Sequence, residues 1–163
     1  MNLTSKYLLW ILICGTLSFS CKKSATVINA GFSCKLNGTQ WSPHSDDFKN
    51  PSIQATFNNS NKSLLLLGIN TNTREHIGIG LYTENGITDG IYTLDKNTAQ
   101  GFYNQNATGK QFTSENMGGT CSIQIDKPNR TISGTFSFKA IDPSTKQTVD
   151  VTGGTFNVKY LTY

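Results

Sequence analysis

From Thr131 to Ala140 apolar and polar side chains alternate without a break. Ile132, Gly134, Phe136, Phe138 and Ala140 fall on one side, and Thr131, Ser133, Thr135, Ser137 and Lys139 on the other. A period of two over ten residues describes a half-buried β-strand, because a helix would scatter those five apolar positions around its circumference. The same alternation recurs in Phe32-Cys34-Leu36, Ile53-Ala55-Phe57, Ile77-Ile79-Leu81, Cys121-Ile123-Ile125 and Phe156-Val158-Tyr160. Turn chemistry separates the runs: Asn37-Gly38, Asn85-Gly86, Asp89-Gly90, Asp126-Lys127-Pro128-Asn129 and Gly153-Gly154.

Strands at such short spacing with turns between them predict an all-β fold, a single antiparallel β-sandwich or β-barrel, with a calycin-like barrel among the alternatives. Thr, Asn, Ser and Gly dominate the polar positions and only 15% of residues are charged, which disfavours helices. Leu64-Leu65-Leu66-Leu67 is apolar on both faces and predicts a strand in mid-sheet or beneath a covering segment. In Ile77 to Leu81 the intervening residues are Gly78 and Gly80, which predicts close approach by another group on that face. Asp95 to Gly119 has only Phe102, Tyr103 and Phe112 as anchors. Gly134-Thr135-Phe136 is echoed by Gly154-Thr155-Phe156; one echo is a shared strand solution and not a repeat architecture.

The N-terminus has a different plan. Lys6 precedes the apolar Tyr7–Ile13, and small or polar residues lead to Cys21. That is the layout of a secretory signal peptide, too short to span a membrane, which needs about 20 apolar residues. Leu17-Ser18-Phe19-Ser20-Cys21 resembles the lipobox of bacterial lipoproteins, although Ser18 stands where that class usually has Leu. The resemblance implies diacylglycerol on the Cys21 thiol, cleavage before it, and acylation of the new amine with chains such as palmitate, which together make a stable anchor. The competing reading is an ordinary secreted protein, since Ser18 and Ser20 also suit general signal peptidase. The expected division is therefore residues 1–20 as signal peptide, 21–30 as tether and 31–163 as the β-domain. The expected location is the cell envelope, on the periplasmic side of the outer membrane, with the membrane as partner through Cys21.

The folded region resembles a family of small Bacteroidota envelope lipoproteins of unknown function. The residues carrying the likeness are Phe32, Cys34–Trp41, Gly90–Leu94, Ile132–Phe138 and Gly154–Tyr160. They are strand and turn motifs. The resemblance implies an all-β envelope domain and no catalytic chemistry.

Functional signals are weak. The 14 basic and 10 acidic residues leave a charge of +4, and the basic ones are scattered, so no nucleic-acid face is expected. His44, Ser45, Asp46 and Asp47 are too close in sequence to converge as a catalytic triad, and no Gly-x-Ser-x-Gly elbow is present. His44, Asp46, Asp47 and His76 lack a spacing that enforces a metal site, so no metal or cofactor is expected. Cys34 and Cys121 both fall on inward positions in an exported chain, which suits a disulfide; two separate buried thiols are the alternative. Trp41, which follows the hairpin turn, and Tyr82 and Tyr103, placed outward by alternation together with Tyr163, are the candidate ligand contacts, to stack on a glycan or grip a protein; the competing reading is that these aromatics close the ends of the core. Three functions remain open at this level: a non-enzymatic binding or structural module; a calycin-like barrel whose cavity, lined by Leu65, Leu67, Phe136 and Phe138, holds a small apolar ligand; and an envelope-polymer hydrolase using acids such as Asp46 or Glu75.

Overall fold

A computed structural model describes residues 31–45, 52–96 and 98–163. The expected signal peptide, tether and Cys21, together with Asp46 and Asp47, lie outside the described residues. The domain begins with a hairpin of β1 (Gly31–Leu36) and β2 (Thr39–Trp41). Asn37 and Gly38 both take positive φ, 50° and 82°, the geometry of the two-residue turn that their sequence predicts. Three long strands follow as a meander: β3 (Ile53–Asn58), β4 (Ser63–Asn70) and β5 (Glu75–Tyr82). The remaining strands are β6 (Gly90–Thr93), β7 (Ala99–Gln105), β8 (Lys110–Thr113), β9 (Gly119–Asp126), β10 (Thr131–Ile141), β11 (Thr148–Lys159) and β12 (Leu161–Thr162). No helix occurs among the described residues.

The strands form one sheet in the order β12-β3-β4-β5-β7-β8-β10-β11-β1-β2, with β9 also paired to β10, and β6 to β9. The fold is all-β, as expected, and suits a β-sandwich, but the sheet is mixed because β12 runs parallel to β3. It does not close into a barrel. A single pairing, Ile141 with Thr113, carries it from β8 onto β10. The sheet turns back on itself there, and its two halves face each other. Phe32 of β1 fills the space a side chain at Gly68 of β4 would need, and Phe138 of β10 does the same at Gly101 of β7.

The core is aromatic. Phe136 packs on Phe32, Phe138 and Phe156 at ring-centroid distances of 5.1, 6.3 and 6.3 Å. The echoed tripeptides meet in register across β10 and β11: Gly134 opposite Phe156, Thr135 opposite Thr155, Phe136 opposite Gly154. Each glycine gives up its side chain to make room for the other copy's phenylalanine ring. The reciprocal fit explains why the two segments share a sequence.

Two expectations need correction. Cys34 and Cys121 are both buried, as the alternation requires, but they are free thiols. Cys121 lies opposite Phe136, Phe136 opposite Gly154, and Cys34 beyond that on β1. Three strand spacings separate the cysteines, roughly 14 Å along the sheet at about 4.8 Å each, whereas a disulfide needs Cα atoms about 4.4–6.8 Å apart. The proposed calyx lining also fails. Phe136 and Phe138 are packed in the core, while Leu64 and Leu66 are the inward members of the leucine run and Leu65 is 39% exposed on the outer face.

Candidate functional site

The candidate ligand aromatics separate on folding. Trp41 is directly opposite Cys34 in the β1–β2 hairpin, so it shares that residue's inward face and is only 6% exposed. Tyr103 alternates with Gly101, whose missing side chain admits the Phe138 ring, so Tyr103 also faces inward and is 4% exposed. Neither is an outward platform; both rings close the core, the competing reading of these aromatics. Tyr82 is outward, 43% exposed, on the far face of β5.

Glu75 joins the two buried aromatics. It opens β5 two residues before Ile77, and the alternation turns it inward. Its Oε2 accepts from Trp41 Nε1 at 3.0 Å and from the Thr73 hydroxyl at 2.8 Å, and its Oε1 accepts from the Tyr103 hydroxyl at 2.6 Å. Trp41 comes from one half of the folded sheet and Glu75 with Tyr103 from the other, so the carboxylate fastens the halves at this end. Burial, then the hydrogen bond to Glu75 and its negative charge, push the Tyr103 phenol above its ordinary pKa. With both oxygens engaged by structural donors, Glu75 is a brace and is poorly placed as a hydrolytic acid.

Beside this brace lies a cleft of about 360 Å³ between the halves. Tyr103 and Phe112, in ring contact at 5.4 Å, form its floor with Leu36 and Val149. Asn37, Gln105, Lys110 and Gln147 form its rim. Lys110 Nζ donates to Gln147 Oε1 at 2.7 Å across the mouth. The loop presenting Gln147 is set by Asp142, which accepts from the Ser144 and Thr145 amides at 2.8 and 3.1 Å. Burial pushes the Asp142 carboxyl up, but those amides, the Thr145 hydroxyl and the Lys110 charge outweigh it and hold the carboxyl below its ordinary value.

A larger groove, about 670 Å³, runs along Ile87, Asp89, Ile125 and Lys127. Its carboxylates are spent on the backbone and the turn: Asp89 accepts from the Ile125 amide and Asp126 from both nitrogens of Asn129. Chemically it offers less than the cleft.

Of the histidine-acid cluster only His44 and His76 fall among the described residues. His44 pairs with Asn70, the last residue of β4, its amide donating to Ile69 O, while His76 sits on the outer face of β5. Among the described residues no group of three or more His, Cys, Asp or Glu could hold a metal ion. Cys34 and Cys121 are unsuited to nucleophilic chemistry, since burial pushes both thiols up to about 12.

Residues 35–158 match the domain of unknown function DUF6252. The chain belongs to the DUF6252 family. The match runs from β1 to the end of β11, so the DUF6252 domain contains the brace, the cleft and the paired glycine-phenylalanine motifs. No curated protein and no solved structure matches the chain.

Proposed function

We propose that this DUF6252 protein is a lipid-anchored binding module of the bacterial cell envelope, of the Bacteroidota lipoprotein type, held through Cys21 on the periplasmic side of the outer membrane and without catalysis of its own. The N-terminal pattern ending in Ser20-Cys21 supports the anchor. The cleft between the halves carries the binding reading. An aromatic floor under a rim of amides and one ammonium suits a small ligand with one apolar and one polar side.

Both parts are testable. Cys21→Ser is expected to move the protein from the membrane to the soluble fraction; a variant that stays membrane-bound, or a wild type without lipid mass, refutes the anchor. For the cleft, Trp41 is the one tryptophan after Cys21 and contacts the brace, so its emission reports on Tyr103. Titration of the lipid-free chain with monosaccharides, amino acids and dipeptides is expected to find a responding ligand whose affinity drops at least about tenfold in Lys110→Ala/Gln147→Ala, the loss of roughly 1.4 kcal/mol. Silence across the panel, or a response indifferent to those substitutions, refutes the cleft.

A further inference from the structure

The two outer faces of the folded sheet differ in kind. On the β9-β10-β11-β1 half, the outward positions include Lys35, Asp126, Lys139, Asp150 and Lys159 among threonines and serines, an ordinary solvated surface. On the β3-β4-β5-β7-β8 half, no outward position carries Asp, Glu, Lys or Arg. Amides, hydroxyls, aliphatic side chains and aromatic rings occupy that face instead, with the His76 imidazole at the far end of β5, paired with Ile69 and Asn104.

Its relief is set by two glycines. Leu67 is opposite Gly78, and Gly78 opposite Phe102, whose ring lies over the glycine and fills its place. One step along, Leu65 is opposite Gly80, and Gly80 opposite Gln100, but nothing lies within 4 Å of where a Gly80 side chain would begin. The result is a trough of about 230 Å³ over Gly80, walled by Leu65, Tyr82 and Gln100 and edged by Ser63 and Thr98. The Thr113 hydroxyl donates to Gln100 Oε1 at 2.7 Å, which orients the amide with Nε2 as its donor end.

We infer that this trough is a second binding site, independent of the end cleft, and that it receives one neutral sugar ring of a polysaccharide. A pyranose has an apolar C–H face and an equatorial belt of hydroxyls. The exposed Tyr82 ring and Leu65 meet the first, and Ser63, Thr98 and Gln100 meet the second. The missing charge selects against acidic or basic ligands, which would lose hydration on this face and gain no counter-charge. The volume is below the roughly 300–1,000 Å³ of sites that enclose a whole drug-sized ligand, so the trough takes one unit of a chain that continues over the open face.

Affinity electrophoresis of the full chain in detergent, through gels containing β-glucan, mannan, xylan or acidic alginate, tests this. Retardation by at least one neutral polymer and none by alginate is expected. Gly80→Val should abolish it by filling the trough; a Cβ at this position has nothing within 4 Å and valine suits a strand, so the protein should fold, as an unfolding curve will check. Tyr82→Ala should weaken retardation at least tenfold, while Lys110→Ala at the end cleft should leave it unchanged. No retardation by any neutral polymer, equal retardation by alginate, or retardation that survives both trough variants overturns the site. A dimer in sedimentation that Gly80→Val dissociates, with no polymer retarding the wild type, overturns it in favour of a second copy of the chain.

Discussion

Gly134 and Gly80 are both strand glycines without positive φ, and the same added methyl should have opposite consequences at each. At Gly134 a Cβ would run into the Ser122 carbonyl oxygen of β9 and lie 2.7 Å from the Phe156 ring of β11. Neither neighbour can swing aside. Ser122 belongs to the β9–β10 ladder, and the Phe156 ring is fully buried against Phe136. Overpacking a well-packed core costs about 1–3 kcal/mol and occasionally more, and a backbone clash inside the β9–β10 ladder belongs at the top of that range, near 3 kcal/mol. At Gly80 the methyl meets nothing, and replacing a strand glycine recovers about 0.5–1 kcal/mol of backbone entropy. Urea unfolding of Gly134→Ala and Gly80→Ala should therefore give midpoints on opposite sides of wild type with unchanged slope, a spread of about 3.5–4 kcal/mol, or roughly 10–15 °C in Tm for a domain of this size. If both variants shift in the same direction, or Gly134→Ala loses less than about 1 kcal/mol, the reciprocal glycine-phenylalanine fit is wrong.

Glu75→Ala should destabilise the domain by about 2–6 kcal/mol, because it orphans the Trp41 and Tyr103 donors, each costing about 1–3 kcal/mol; Glu75→Gln, which keeps one acceptor, should lose less than half of that, and only the alanine variant should red-shift Trp41 emission. Thiol titration in denaturant before any reductant should find both Cys34 and Cys121, and the native protein should resist alkylation at pH 8; a reductant-dependent count would restore the disulfide. The same groups set an alkaline limit: the two thiols rise from 9.0 to about 12 on folding and the Tyr103 phenol also rises, so the folded state holds their protons more tightly. Stability should be flat up to about pH 9 and fall as pH increases towards 12, because the unfolded chain ionises first; a stability that rises across this window would contradict the burial of these groups.

The strand pattern was legible because alternation is a local property. Thr131–Ile141 and the Asn37-Gly38 hairpin announce themselves within a few residues, and both form as expected. Sheet order is not local. Whether Cys34 and Cys121 meet depends on β10 and β11 lying between them, which no run of ten residues can reveal. Closure was equally hidden: an open sheet and a barrel share the same alternation and differ in whether the strands at the two ends of the order, here β12 and β2, pair with each other.

The site was partly legible, and the errors follow a rule. Trp41 could have been placed inside from the sequence alone, since a two-residue turn at Asn37-Gly38 sets Leu36 against Thr39 and therefore Cys34 against Trp41. Glu75 could have been placed from Ile77, Ile79 and Leu81, which share its parity. Tyr103 could not, because Phe102 beside it is equally apolar and only the Phe138 ring pressing on Gly101 decides which of the two faces in. The same ambiguity covers Leu64 to Leu67. Where adjacent residues are alike, parity carries no information, and the partner across the sheet chooses the face. The outer surface that results sets Tyr82 and the open place at Gly80, whose parity the alternation of β5 shows, beside Leu65 of β4, whose orientation the sequence leaves undecided, so a binding face there arises from the tertiary pairing of β4 with β5 and carries no motif of its own.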